Sequence, residues 1–189
     1  MKKKTLLFIF ILCAYTSFAQ DEPSLMIKTN ILNLVAKRPT LAIEKTFSGL
    51  YGLELAYTSG EIKNLGYRDY LHYEGFLLRA KKYIRPIKKR EANAFYGVYF
   101  GNLDKTVVSH RSVDETGIFS WGRNRDFSAG SVRYGGTFGV SFIPGKHFLL
   151  EGLTGLGYGD YYHVQNNLNN KLPGGYFDFQ LWLSIGYSF

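Results

Sequence analysis

A chain of 189 residues suffices for one domain, and 20% charged against 46% hydrophobic side chains excludes a disordered polymer. The 15 Tyr, 15 Phe and 21 Gly suit strands, aromatic girdles and tight interior packing. The formal net charge is +8, which is modestly basic.

The N-terminus reads as a targeting segment. Lys2, Lys3 and Lys4 form a positive start, Leu6 to Ala14 an apolar run, and Ser17-Phe18-Ala19 a small-x-small cleavage site. The apolar run is too short to cross a bilayer as a helix. Residues 1–19 are therefore expected to be a cleaved signal peptide, and residues 20–189 the mature domain. Cys13 is the only cysteine; Leu12 stands before it where a lipoprotein needs a small residue. Cleavage after Ala19 removes Cys13, so the exported chain makes no disulfide. Losing three lysines leaves 20 basic against 15 acidic side chains, about +5. An exported chain of that charge more readily meets anionic lipid head groups than nucleic acid, which is excluded as a partner.

No later segment is apolar for long enough to be a membrane helix. Alternating segments of about ten residues recur instead between turn signals, as in membrane-barrel strands. The first is Leu25 to Val35, with Leu25, Ile27, Thr29 and Ile31 opposite Lys28 and Asn30. The second, Thr40 to Phe47, sets Leu41, Ile43 and Phe47 against Thr40, Ala42, Glu44 and Thr46. Ser48-Gly49 is a tight turn. The third, Leu50 to Ser59, sets Tyr51, Leu53, Leu55 and Tyr57 against Gly52, Glu54, Ala56 and Thr58. A polar loop is expected at 60–69. In the fourth, Tyr70 to Ile84, Leu71, Tyr73 and Leu77 read as outward and His72 and Glu74 as inward, with a bulge near Leu77-Leu78-Arg79 shifting the phase. After a charged turn at 85–93, the fifth strand, Ala94 to Leu103, opposes Tyr96, Val98 and Phe100 to Gly97, Tyr99 and Gly101. A long loop, 104–128, precedes the sixth, Ala129 to Ile143, with Val132, Tyr134, Phe138, Val140 and Phe142 outward. Pro144-Gly145-Lys146 turns the chain into the seventh, His147 to Gly159, and a polar loop, 160–175, leads to the last.

That last strand, Tyr176 to Phe189, alternates most cleanly. Phe177, Phe179, Leu181, Leu183, Ile185, Tyr187 and Phe189 share one face; Asp178, Gln180, Trp182, Ser184, Gly186 and Ser188 share the other. A small barrel has an interior just wide enough for side chains, so seven large apolar groups per strand would overfill it. The Ser, Gly, Gln and Asp file fits inside. The expected fold is thus an all-β, eight-stranded antiparallel up-and-down transmembrane barrel with its apolar face to lipid. An even strand number puts both termini on one side, the periplasmic one, and the longer loops mostly on the other.

The stretches Lys28 to Leu34, Thr40 to Lys45, Phe95 to Gly101 and Gly135 to Gly159 resemble the small outer-membrane barrels of OmpA/OmpX type, in particular the uncharacterised porin-like barrels of Bacteroidota. The ending in Tyr187 and Phe189 resembles the C-terminal aromatic signal read by the barrel-assembly machinery. The resemblance implies the outer membrane of a Gram-negative bacterium, with its lipids and lipopolysaccharide as surroundings. It implies no activity.

The inward face carries Lys28, Glu44, Glu54, Glu74, Arg133, Glu151 and Asp178, with Arg79 as a further candidate. Buried charge is costly unless paired, so these are expected to form an interior polar network plugging the barrel; a narrow porin-like channel is the alternative. Arg79, Lys81, Lys82, Arg85, Lys88, Lys89 and Arg90 form a basic run whose last four define a periplasmic basic turn. Arg111, Trp121, Arg123 and Arg125 are the candidate outer-loop binding residues, facing lipopolysaccharide or an unidentified protein partner. A lipid A- or phospholipid-modifying enzyme would need a nucleophile and base. His72, His110, His147 and His163 are scattered, and only His72 with Glu74 shares a face. No metal spacing or cofactor box is present, and the expected protein is not an enzyme.

Overall fold

The computed structural model describes residues 24–36, 40–65, 68–109, 125–166 and 174–189. The expected signal peptide and the loop residues His110, Arg111, Trp121 and Arg123 lie outside them. Eight strands follow one another around a closed barrel: β1 (Leu25–Asn30), β2 (Leu41–Phe47), β3 (Tyr51–Leu65), β4 (Arg68–Tyr83), β5 (Ala92–Ser109), β6 (Arg125–Phe142), β7 (Phe148–Asn166) and β8 (Gly175–Ser188). Every neighbouring pair is antiparallel, and β1 closes the ring on β8 through Met26↔Ser188 to Asn30↔Ser184. Closure leaves no open sheet at the ends of the strand order.

The start of β1, the end of β8 and the turns after β2, β4 and β6 lie at one end of the barrel, here called the terminal end. The turn after β2 is tight because Ser48 and Gly49 both take positive φ, 51° and 58°. The turn after β4 is long because it closes the barrel. Its Ile87 is buried with Met26, Tyr83, Ile143 and Leu149. Ile87 N donates to Gly49 O at 3.0 Å, and Arg90 N to Ile143 O at 2.8 Å. The Asn93 amide secures the turn from within, donating to Lys88 O and Glu91 O and accepting from Lys88 N, all at 2.9 Å.

Strand one is shorter than its sequence alternation suggests. It stops at Asn30, and Ile31–Ala36 form a 3-10 segment packed between β8 and β3. The Asn30 side-chain oxygen accepts from Leu32 N at 3.1 Å and from Leu183 N at 3.2 Å, a bond that continued pairing would otherwise supply. Five other strands run longer than expected. Strand extends into the loops anticipated at 60–69, 104–128 and 160–175: β3 and β4 reach Leu65 and Arg68, β5 reaches Ser109, β6 starts at Arg125 and β7 reaches Asn166.

The expected bulge in β4 is absent. One register holds from Tyr51↔Lys82 to Leu65↔Arg68, so odd residues point inward throughout. Leu77 is fully buried and Tyr73 points inward, while Glu74 is exposed on the outer face. The expectation failed because the polarity of the two faces inverts part-way along the wall. Nearer the terminal end the outward residues are apolar: Phe76 and Leu78, Tyr96, Val98 and Phe100, Phe138 and Val140, Leu150 and Leu156, and Phe177 to Phe189 on β8. Beyond Phe76 the outward side turns polar, with His72 and Glu74 on β4 and Asp104 directly opposite Glu74 on β5. There the inward side turns apolar: Val107, Phe127 and Ala129 pack with Leu71 and Tyr161.

Candidate functional site

Inside the terminal half, five strands deliver six charges to one point. β1 supplies Lys28, β2 Glu44, β3 Glu54, β4 Arg79 and Lys81, and β7, on the far wall, Glu151. All are buried. Lys28 Nζ donates to Glu44 at 2.6 Å, Glu54 at 2.5 Å and Glu151 at 2.9 Å. Lys81 Nζ donates to the same three carboxylates at 2.8, 2.7 and 3.0 Å. Arg79 pairs with Glu54 through Nη1 and with the Gln180 side-chain oxygen through Nη2 at 3.0 Å. Three carboxylates thus face three cations and the cluster is neutral. Each ammonium gives its three protons to three carboxylates, the full capacity of the group.

Aromatic rings enclose the cluster. Tyr83 OH donates to Glu44 at 2.7 Å from the terminal side. The Lys81 ammonium lies 4.5 Å from the Phe95 ring centre, and the Arg79 guanidinium stacks 3.9 Å over Trp182. Arg79 and Gln180 link the cluster to a second group toward the far end. Gln180 Nε2 donates to Asp178 at 2.8 Å, and Tyr99 OH donates to the same carboxylate at 3.0 Å. Arg133 is buried beside it.

Carboxylate oxygens of Glu44, Glu54 and Glu151 lie within 4.8 Å of one another, a spacing that could hold a metal ion. The two lysine ammonium groups already bind all three of these carboxylates. A cation would have to displace both, so the donor set fits an ion-pair cluster better than a metal centre.

A third group closes the mouth beside the short strands. Asn33, in the 3-10 segment, donates to Thr40 Oγ1 and Ser59 O, both at 3.0 Å, and to Thr58 Oγ1 at 3.4 Å; Tyr73 OH donates to its side-chain oxygen.

The structure brings together Lys28, Glu44, Glu54 and Glu151 in one cluster and Arg133 with Asp178 in a neighbouring one. Glu74 is a correction: it stands on the outer face, where Tyr57 OH donates to it. His72 shares that outer face, its Nε2 4.0 Å from Glu74, so the pair is not inside the barrel. The basic run is divided by strand alternation. Arg79 and Lys81 turn inward, while Lys82, Arg85, Lys88, Lys89 and Arg90 are exposed at the terminal end. Lys81 and Tyr83 escaped the sequence reading, while Tyr99 and Gln180 were placed on inward faces but not counted in the polar network. Charge balance was the signal that could have found Lys81: three inward glutamates had only Lys28 close by until β4 supplied two more cations. Arg125 opens β6 and pairs with Ser109. Tyr187 and Phe189 are exposed. Tyr187 stacks on His147 at 4.8 Å, and Phe189 N donates to Leu25 O at 2.9 Å.

No protein-family model matches the chain, and no curated protein matches it.

Proposed function

We propose that the chain is a non-enzymatic outer-membrane β-barrel of a Gram-negative bacterium, exported by a cleaved signal peptide, with a lumen closed by paired charges. Its role on this reading is structural, or lies in binding through the loops at the far end, where Arg111, Trp121, Arg123 and Arg125 would meet lipopolysaccharide or a protein. The exposed basic turn would face the periplasm, and Tyr187 and Phe189 would serve recognition by the barrel-assembly machinery.

The observation that carries this reading is the inversion of polarity along the wall, which on β4 occurs with no change of register. A barrel in water needs one outward polarity over its whole height. A wall that is apolar outside for part of its height and polar outside beyond it suits a change of surrounding medium. On β7 the apolar stretch runs from Phe148 to Tyr158, with Asp160 next on that face. At roughly 3.3 Å per residue and a tilt of about 40°, such a run stands about 25 Å tall, the height of an outer-membrane apolar band.

The neutral cluster supports a closed lumen rather than a channel. Six charges held by seven ion pairs leave no unpaired charge within the cluster to draw an ion past it. Planar-bilayer recording on the purified mature chain tests this. The expected trace is flat; a steady, reproducible unit conductance would overturn the closed-lumen reading.

A further inference from the structure

Arg133 is an inward cation outside the cluster. It projects from β6 between Gly101 and Gly159 of the adjoining strands and is 6% exposed. Its Nη2 and Nε atoms are buried and have no hydrogen-bond partner. Asp178 is the carboxylate that faces it, but its Oδ2 takes the protons of Tyr99 and Gln180. The other polar neighbours are also engaged. Ser131 donates to Leu103 O at 2.8 Å, which leaves the Tyr176 hydroxyl to donate to Ser131 Oγ at 3.1 Å.

The two unpartnered atoms lie on the same edge of the guanidinium. Their N–H groups form a parallel fork whose spacing matches two oxygens of a carboxylate or phosphate. Further positive charge surrounds the position. Arg79 faces Arg133 from the terminal side, and the Lys105 ammonium sits 3.3 Å over the Tyr176 ring. Tyr83, Ile87 and Ile143 are buried at the terminal end, so the site requires a solute to enter from the far end.

We propose that Arg133 anchors an oxyanion-binding site in the lumen, taking the carboxylate or phosphate group of a small solute bidentately. The site depends on the interior geometry alone, and lipid contact at the outer face can fail without affecting it.

The test uses the isotopically labelled mature chain in detergent micelles, titrated with sodium acetate and with inorganic phosphate at ionic strength held constant with sodium chloride. Arginine Nε–H resonances are followed by NMR. The expected result is a saturable shift of the Arg133 resonance, greater for the two-oxygen anions than for chloride. Arg133→Lys keeps the charge but removes the fork, so the saturable response of the barrel should disappear; heat-modifiable gel mobility confirms its folding. Asp178→Asn removes the competing negative charge and should lower the midpoint several-fold, a comparison that stands even if the lysine variant does not fold. A response that rises linearly, survives in Arg133→Lys, or is unchanged in Asp178→Asn would mean adventitious ions only, and the site would be rejected.

Discussion

Lys28 on β1 and Glu151 on β7 are 123 residues apart in sequence and 2.9 Å apart in the lumen. Their strands are separated by β8 alone, so the contact bridges the β1–β8 seam and forms only when the ring has closed. Removing one member of a buried pair leaves its partner charged and desolvated, at a cost of about 3–5 kcal/mol. Glu151→Gln is accordingly expected to lower the unfolding free energy by about that amount in urea titrations of the micelle-bound chain. Lys28→Met combined with Glu151→Gln restores neutrality and should cost clearly less than the two single changes together. Strict additivity would mean that the six charges do not act as one unit.

Two glycines give a sharper contrast in packing. A Cβ at Gly157 would overlap the Tyr134 carbonyl oxygen and the Tyr99 hydroxyl, while one at Gly145 meets nothing within 4 Å. Gly157→Ala should therefore destabilise by more than about 2 kcal/mol, with Tyr99 forced away from Asp178. Gly145→Ala should stay within about 0.5 kcal/mol. Equal melting temperatures for the two variants would contradict the close packing of β7 against Tyr99.

Asn33 holds the 3-10 segment across the gap above the short strands through its bonds to Thr40, Thr58 and Ser59. Asn33→Ala leaves buried acceptors without their donor, and a loss of about 1–3 kcal/mol is expected. Hydrogen exchange should quicken first at Leu32 and Leu183, whose amides both depend on the neighbouring Asn30 side chain. Unchanged exchange there would show that the segment is held by something other than Asn33.

Strand β8 was legible throughout because its two faces differ at every step and its whole length lies on one side of the polarity inversion. β5, β6 and β7 were read in the right phase for the same reason, but their far ends were taken for loops. There the outward residues become polar, Asp104 on β5 and Asp160 on β7, and a polar stretch between turn residues looks like a loop when every outward residue of a strand is expected to be apolar. β4 crosses the inversion at Phe76, so its apolar residues change face while its register does not. A reader of sequence alone sees a phase slip and supplies a bulge. The same slip placed Glu74 inside and kept Lys81 among the exposed lysines. The glutamates on β2, β3 and β7 were found because their strands alternate cleanly around them.

Leu156 lies on the outer face of β7 at 48% exposure, within the apolar stretch. If that face meets hydrocarbon, Leu156→Arg should destabilise the liposome-embedded chain by up to about 2–4 kcal/mol, depending on depth. Against water the same change would stay within about 0.5 kcal/mol. The sign of the account rests on which of these a urea titration in liposomes returns.

The account's central claim is that the apolar outer face touches lipid. Cysteine-reactive fluorophores placed singly at alternate positions from Phe177 to Ser188 test it most directly, since Cys13 is the only native cysteine and falls in the expected signal peptide. In liposomes, labels at Phe179, Leu181, Leu183 and Ile185 should be quenched by nitroxide lipids and spared by iodide, while those at Gln180 and Ser184 should not be quenched by the lipids. Iodide quenching at the four apolar positions, with no effect of the nitroxide lipids, would contradict it.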